Sequence, residues 1–136
     1  MSRSNRPPQV LFSYMDRPYT ILFVEDEVAL RELVMHLLSE EGFVVLTAAD
    51  GHEALRILAE RHVDVLFTDI VMPGISGFQL ASQAKLMRPN IKVLYVTGHA
   101  QTATGGNDPR HGKLLPKPLR PALLVWEINT LLEGAN

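Results

Sequence analysis

The sequence predicts an α/β fold: a single doubly wound domain of five βα units, with a five-stranded parallel sheet covered by helices on both faces. Three observations carry this. From Tyr19 onward, short runs rich in Val, Ile, Leu and Phe alternate with longer segments of helical period. The short runs are continuously apolar, as strands covered on both faces are. Strict alternation of the two element types builds a parallel sheet with helices on each side.

Each element has its own local reason. YTILFV (19–24) is rich in strand formers and stops at Glu25, Asp26 and Glu27. Residues 28–41 place Leu30, Leu33, Val34, Leu37 and Leu38 on one helical face. Asp26 and Glu27 stand where acids favour a helix start, and Gly42 stands where a helix ends. FVVLTA (43–48) is the second strand, and residues 52–62 form a short helix on Ala54, Leu55 and Leu58. VDVLFTD (63–69) is the third strand. After a Pro-Gly turn, a helix covers 76–87 with Ser76 as its cap. IKVLYVT (91–97) is the fourth strand.

The rhythm then breaks. Residues 98–113 contain four Gly and one Pro and no apolar period, so the helix expected there by alternation is weak or partly disordered. Residues 113–118 form a short fifth strand ending at Pro116 or Lys117. The last helix, 121–133, starts on Pro121 and offers Leu124, Ile128, Leu131 and Leu132 as its apolar face. The first 18 residues, rich in Arg and Pro, show no sustained period and read as a flexible N-terminal arm before a domain over 19–134.

Composition removes several classes of function. The chain has 136 residues, 46% apolar and 21% charged, which suits one globular domain with a real core. A net charge of −2 gives no reason to expect nucleic acid or an anionic membrane as partner. The absence of Cys excludes disulfides and thiolate chemistry. No apolar run approaches the roughly 20 residues of a bilayer span, and residues 10–12 are too short for a signal-peptide core. The five His form no ligand-like pair within one element.

In open parallel sheets, ligands bind outside the carboxyl ends of the strands. Those ends carry Glu25 and Asp26 on strand one, Asp69 on strand three, Thr97 on strand four and Lys117 on strand five. Taken singly, each has a plainer reading. Asp69 in LFTDIVMPGISG is a turn residue, the 25–27 acids are a helix-start signal, Thr97 ends a strand, and Lys117 is a solvated cation. Taken together, they bring three carboxylates, a hydroxyl and an ammonium into one small volume. Two carboxylates about 5 Å apart repel by roughly 3 kcal/mol at an effective dielectric near 20. Three need a counter-charge, and an oxygen-only set suits Mg²⁺ (or Mn²⁺), which keeps waters for a phosphate. A free oxygen of Asp69 can then attack phosphorus, with the cation and Lys117 offsetting charge on the transferring group. The product is an aspartyl phosphate.

Four motifs, FVEDE, LFTDIVMPGISG, VLYVTGHA and LLPKPL, stand in this order at these strand ends. From about Tyr19 to Glu133 the chain resembles the CheY-like receiver domains of two-component response regulators. The resemblance implies a flavodoxin-like strand order 2-1-3-4-5. It makes Asp69 the phospho-acceptor, with Glu25 and Asp26 holding Mg²⁺ directly or through water. Val71 is implied to complete the metal site through its backbone carbonyl. Thr97 matches the switch hydroxyl, Gly98 the small residue beside it, and Lys117 the site lysine. Pro118 matches a cis-proline, while Pro73 and Gly77 match the turn before the next helix. His99, two residues after Thr97, falls where relatives tune access of water to the phosphate. The donor is implied to be a histidine kinase or histidine phosphotransfer protein. The output surface is implied to be the fourth helix, fifth strand and fifth helix, in a cytoplasmic protein that is a phosphorylated switch and not a turnover enzyme.

Two departures matter. Leu114 stands three residues before Lys117, where many receivers carry an aromatic that couples to the switch hydroxyl. The stretch 100–112 is expected to be mobile or only partly helical, a two-state element in place of that aromatic. No output domain follows the last helix, so the chain reads as a stand-alone receiver or a receiver segment of a hybrid histidine kinase. Two other classes compete. One is a constitutive interaction module on the same fold, which the intact site argues against. The other is a phosphatase of the haloacid dehalogenase type, which would need an acid where Val71 stands.

Overall fold

The structure, a computed structural model, describes residues 18–98 and 110–134. Five strands are β1 (Thr20–Val24), β2 (Val44–Ala48), β3 (Val65–Asp69), β4 (Lys92–Thr97) and β5 (Gly112–Pro116). Four helices are α1 (Val28–Glu40), α2 (Gly51–Glu60), α3 (Gly77–Met87) and α4 (Pro121–Glu133), the last being the C-terminal helix. All strands are parallel, in the order β2-β1-β3-β4-β5, as the resemblance implies. All but the last residue of the expected arm (1–18), together with His99 and most of the weak fourth helix (100–109), lie outside the described residues.

The register explains the two-layer core. Side chains alternate across a strand, so each strand feeds both faces. Leu22, Val24, Leu66, Val93 and Tyr95 face α2 and α3, with Leu58, Leu80 and Ala84 among the residues that cover them. Ile21, Phe23, Val65, Phe67, Leu94 and Val96 face α1 and α4, covered by Val34, Leu38, Leu124 and Ile128. Phe23 and Phe67 are cross-strand partners, and their rings stack at 4.7 Å. Burial on both faces is complete in β3, the central strand that ends on Asp69.

Chain ends of the elements follow local chemistry. Gly42, at φ 95°, ends α1: its N–H donates to Ser39 O, and the N–H of Phe43 donates to Leu38 O. This paired closure needs the left-handed conformation that glycine adopts freely. Ser76 caps α3, with Ser76 and Gln79 exchanging side-chain-to-backbone bonds. Asp50 caps α2 by accepting from the N–H of Glu53, so this helix begins at Gly51, one residue before the sequence suggests. Its last turn stops at Glu60 instead of His62.

Four further expectations are corrected. β2 is an edge strand and only partly covered, so its continuous apolar run does not mean burial on both faces. Leu33 is 64% exposed, because α1 turns Val34 and Leu38 to the sheet. Val63 is buried but precedes β3, which starts at Val65. β5 starts at Gly112, paired with Val93, one residue before the expected start, and ends at Pro116. No helix among the described residues is long and apolar enough to cross a membrane.

Candidate functional site

The carboxyl edge of the sheet gathers groups from β1, β3, β4 and β5. β1 runs out at Val24, and Glu25 continues the pairing by donating its N–H to Ala48 O at 3.0 Å. That bond keeps Glu25 in the sheet layer, where it is only 1% exposed. Asp26, the next residue, is exposed, and Glu27 is the N-cap position of α1. The Glu25 carboxylate is held from two sides. Its Oε2 accepts from the N–H of Glu27 at 3.1 Å, and its Oε1 lies 3.2 Å from Lys117 Nζ. The second contact is a close ion pair whose geometry falls short of a hydrogen bond, so Oε1 is a buried acceptor left unsatisfied.

Asp69 is the last residue of β3 and 6% exposed. Its Oδ1 accepts from the N–H of Val71 at 3.3 Å, and its Oδ2 accepts from Lys117 Nζ at 3.1 Å. The turn beyond it is tight. The N–H of Gly77 donates to Ile70 O at 2.8 Å, and a Cβ on Gly77 would stand 2.2 Å from Asp69 O. Only glycine lets α3 start this close to the end of β3. Gly74 takes φ 80° and Pro73 is exposed within the same turn. Val71 turns its side chain outward.

Lys117 follows β5 directly. Its N–H donates to Thr97 O at 2.9 Å, and its peptide bond to Pro118 is cis. The ammonium thus spans the gap between Glu25 and Asp69 with its side chain 26% exposed. Thr97 closes β4 and is buried. Gly98 is exposed, and among the described residues nothing lies within 4 Å of where a Cβ would stand.

The electrostatics are unbalanced. Glu25, Asp26 and Asp69 each place a carboxylate oxygen within 4.8 Å of the others, against one ammonium. Burial pushes the Glu25 carboxyl up from its ordinary value, and the Asp69 charge adds to that. The Glu27 N–H and the Lys117 charge oppose the rise without cancelling it. For Lys117, burial acts to lower the ammonium, but Asp69 and then Glu25 outweigh it, so its pKa is raised. A divalent cation fits this donor set. It would meet oxygen ligands only, give buried Glu25 Oε1 a partner beyond its ion pair with Lys117 and offset the surplus negative charge.

All of Glu25, Asp26, Asp69, Thr97 and Lys117 therefore come to one edge, as their strand-end positions imply. Sequence reasoning missed Arg31, whose Nη1 donates to the backbone carbonyl of Glu25 at 2.7 Å. The available signal was its place one helical turn past the acids. It also missed an apolar groove of about 640 Å³ beside the site, lined by Leu30, Leu33, Leu37, Pro118 and Leu119 and flanked by Glu27 and Lys117. Exposed Leu33 was the clue, mistaken for core.

The family model for the response regulator receiver domain matches residues 21–129. The chain is 35% identical to the response regulator receiver protein CpdR of Brucella abortus (strain 2308), over 85% of this chain and 98% of that protein. It is 37% identical to the sensor kinase CckA of the same organism, over 84% of this chain but only 12% of the kinase. Among solved structures, a response regulator receiver protein from Sinorhizobium medicae WSM419 superposes with a TM-score of 0.81 at 29% identity, covering 88% of this chain and 98% of that one. The response regulator TrrA of Thermotoga maritima, solved in complex with Mg²⁺ and BeF, gives a TM-score of 0.70 at 29% identity, covering 83% and 98%. On the match over residues 21–129 and the shared strand order, the chain belongs to the response regulator receiver domain family.

Proposed function

We infer that this protein is a phosphorylation-driven switch in which Asp69 accepts a phosphoryl group from a histidine kinase or histidine phosphotransfer protein. The general role, a receiver of two-component signalling, comes with the family. The finer reading rests on one observation above all: Lys117 Nζ bridges Asp69 and Glu25 while three carboxylates crowd together. Three acids around one ammonium leave a surplus of negative charge that a bound cation would offset.

The proposed step is a displacement at phosphorus. An Asp69 carboxylate oxygen forms the new O–P bond as the donor's P–N bond breaks, and the imidazole leaves with the bonding pair. Asp69 Oδ1 is steadied by the Val71 N–H, so the carboxylate has a fixed orientation. Lys117 is close enough to follow the phosphoryl oxygens as charge moves onto Asp69. Mg²⁺, held by Glu25, Asp26, Asp69 and the Val71 carbonyl, would supply charge neutralisation and a template for the phosphoryl oxygens. Thr97 is the hydroxyl proposed to turn toward the modified Asp69. The groove between α1 and the turn after β5 offers the donor protein apolar surface beside the acceptor.

Output is proposed to leave through β5 and α4, where Trp126 is 57% exposed, together with the segment before β5. The domain is taken as 19–134, cytoplasmic, and a switch more than a turnover enzyme. Fluorine NMR with beryllium fluoride tests the site directly. A bound resonance should form with Mg²⁺ present, vanish in EDTA and be absent in Asp69→Asn. A bound resonance independent of Asp69 would overturn the reading.

A further inference from the structure

Arg31 sits in the first turn of α1. A cation there opposes the helix dipole, which favours negative charge at that end. Three acids, Glu25, Asp26 and Glu27, precede it within six residues. Among the described residues its guanidinium nonetheless makes no ion pair with any of them. It reaches back along the chain and donates to the backbone carbonyl of Glu25 at 2.7 Å. The Glu25 carboxylate is already engaged by the Glu27 N–H and Lys117, so a cation that breaks the local rule and turns to a backbone carbonyl needs another explanation.

The carbonyl it holds belongs to the peptide unit that joins Glu25 to Asp26. The rest of that unit's surroundings are already fixed on one side. The Glu25 N–H is tied to Ala48 O, and its carboxylate is tied to the Glu27 N–H. Asp26 is exposed. Rotation about ψ of Glu25, which turns this carbonyl, would swing the Asp26 carboxylate relative to Glu25 and Asp69. Resting on the reading of this cluster as a divalent-cation site, we propose that Arg31 is a positioning residue for it. By clamping the Glu25 carbonyl, it sets the angle at which the two acids are presented together.

This assignment makes a prediction of unusual sign. Seen as charge alone, Arg31 repels a divalent cation, so neutralising it should tighten binding. Seen as a clamp, its loss should weaken binding, by roughly tenfold for a group that orients a ligand.

The test measures Mg²⁺ affinity of the full chain by calorimetry for the parent, Arg31→Met and Arg31→Gln, with thermal melts of each. A second reading is the carbonyl ¹³C resonance of Glu25 in metal-free protein. Expected results are about tenfold weaker Mg²⁺ binding in the neutral variants, with an upfield move of the Glu25 carbonyl as its hydrogen bond is lost. Unchanged or tighter Mg²⁺ binding in a folded neutral variant would overturn the clamp. Should Arg31→Met fail to fold, Arg31→Gln decides on the same two readings. Should the parent itself bind no Mg²⁺, the proposed function falls first, and that outcome is distinct from a parent that binds and variants that bind equally well.

Discussion

At the scale of single residues, the site stores unfavourable charge. Glu25 is buried with its pKa raised, so its folded-state value lies above the unfolded one. Such a group favours folding fully below its unfolded pKa, and that contribution is lost as pH rises through the folded value. Ionised Glu25 therefore weighs against the metal-free fold at neutral pH. Glu25→Gln should melt higher than the parent at pH 7 in EDTA, and the gain should disappear near pH 4. Equal melting at pH 7 would show that Lys117 already offsets the burial. Asp26 is exposed and belongs to the same crowded set. Asp26→Asn should stabilise the metal-free protein by about 0.5–1 kcal/mol, as relief of like charge does, while weakening Mg²⁺ binding in calorimetry. Gly77 carries the opposite expectation. A methyl group at its Cβ would meet Asp69 O at 2.2 Å, so Gly77→Ala should cost about 1–3 kcal/mol in urea unfolding and slow phosphorylation of Asp69.

At the scale of elements, the instructive pair is β4 and β5. The sequence places Leu114 where the family often has an aromatic, and nothing in β5 compensates. The register shows that Leu114 lies directly beside Tyr95 of β4. Tyr95 is fully buried, packs edge-on to Phe78 and donates its hydroxyl to Arg110 O at 2.7 Å. The aromatic at this level of the sheet thus sits on the neighbouring strand and ties down the entry to β5. Burial pushes its phenol up to about 12. Its folded pKa exceeds the unfolded value near 10, so its contribution to stability persists below that value and is lost as pH rises toward 12. Ultraviolet titration should show a tyrosine that stays protonated above pH 11. Tyr95→Phe should cost about 1 kcal/mol, the usual net worth of one buried hydrogen bond. A pairing between strands cannot be seen in either strand alone, which is why Tyr95 was legible as core but not as a tether.

At the scale of the whole molecule, the strand ends were legible because chain order and hydrophobic runs place them on one edge of a parallel sheet. Glu25, Asp26, Asp69, Thr97 and Lys117 follow from that rule. Sequence also foresees Gly42, Ser76 and Pro121, whose backbone roles are local. What it misses depends on direction in space. Leu33 shares a helical stripe with Val34, yet α1 rotates one to the sheet and the other to the groove. Arg31 looks like a surface charge until its fold back onto Glu25 is seen. The same geometry places the site, since β3, the most buried strand, delivers Asp69 to the carboxyl edge of the sheet. Every step proposed for this edge depends on Asp69 as the phospho-acceptor. Intact mass after incubation with Mg²⁺ and acetyl phosphate tests it most directly. The parent should gain one phosphoryl group, lose it on hydroxylamine treatment and show no gain in EDTA, while Asp69→Asn should gain none; an equal gain in Asp69→Asn, or no gain in a folded, Mg²⁺-loaded parent, would contradict the account.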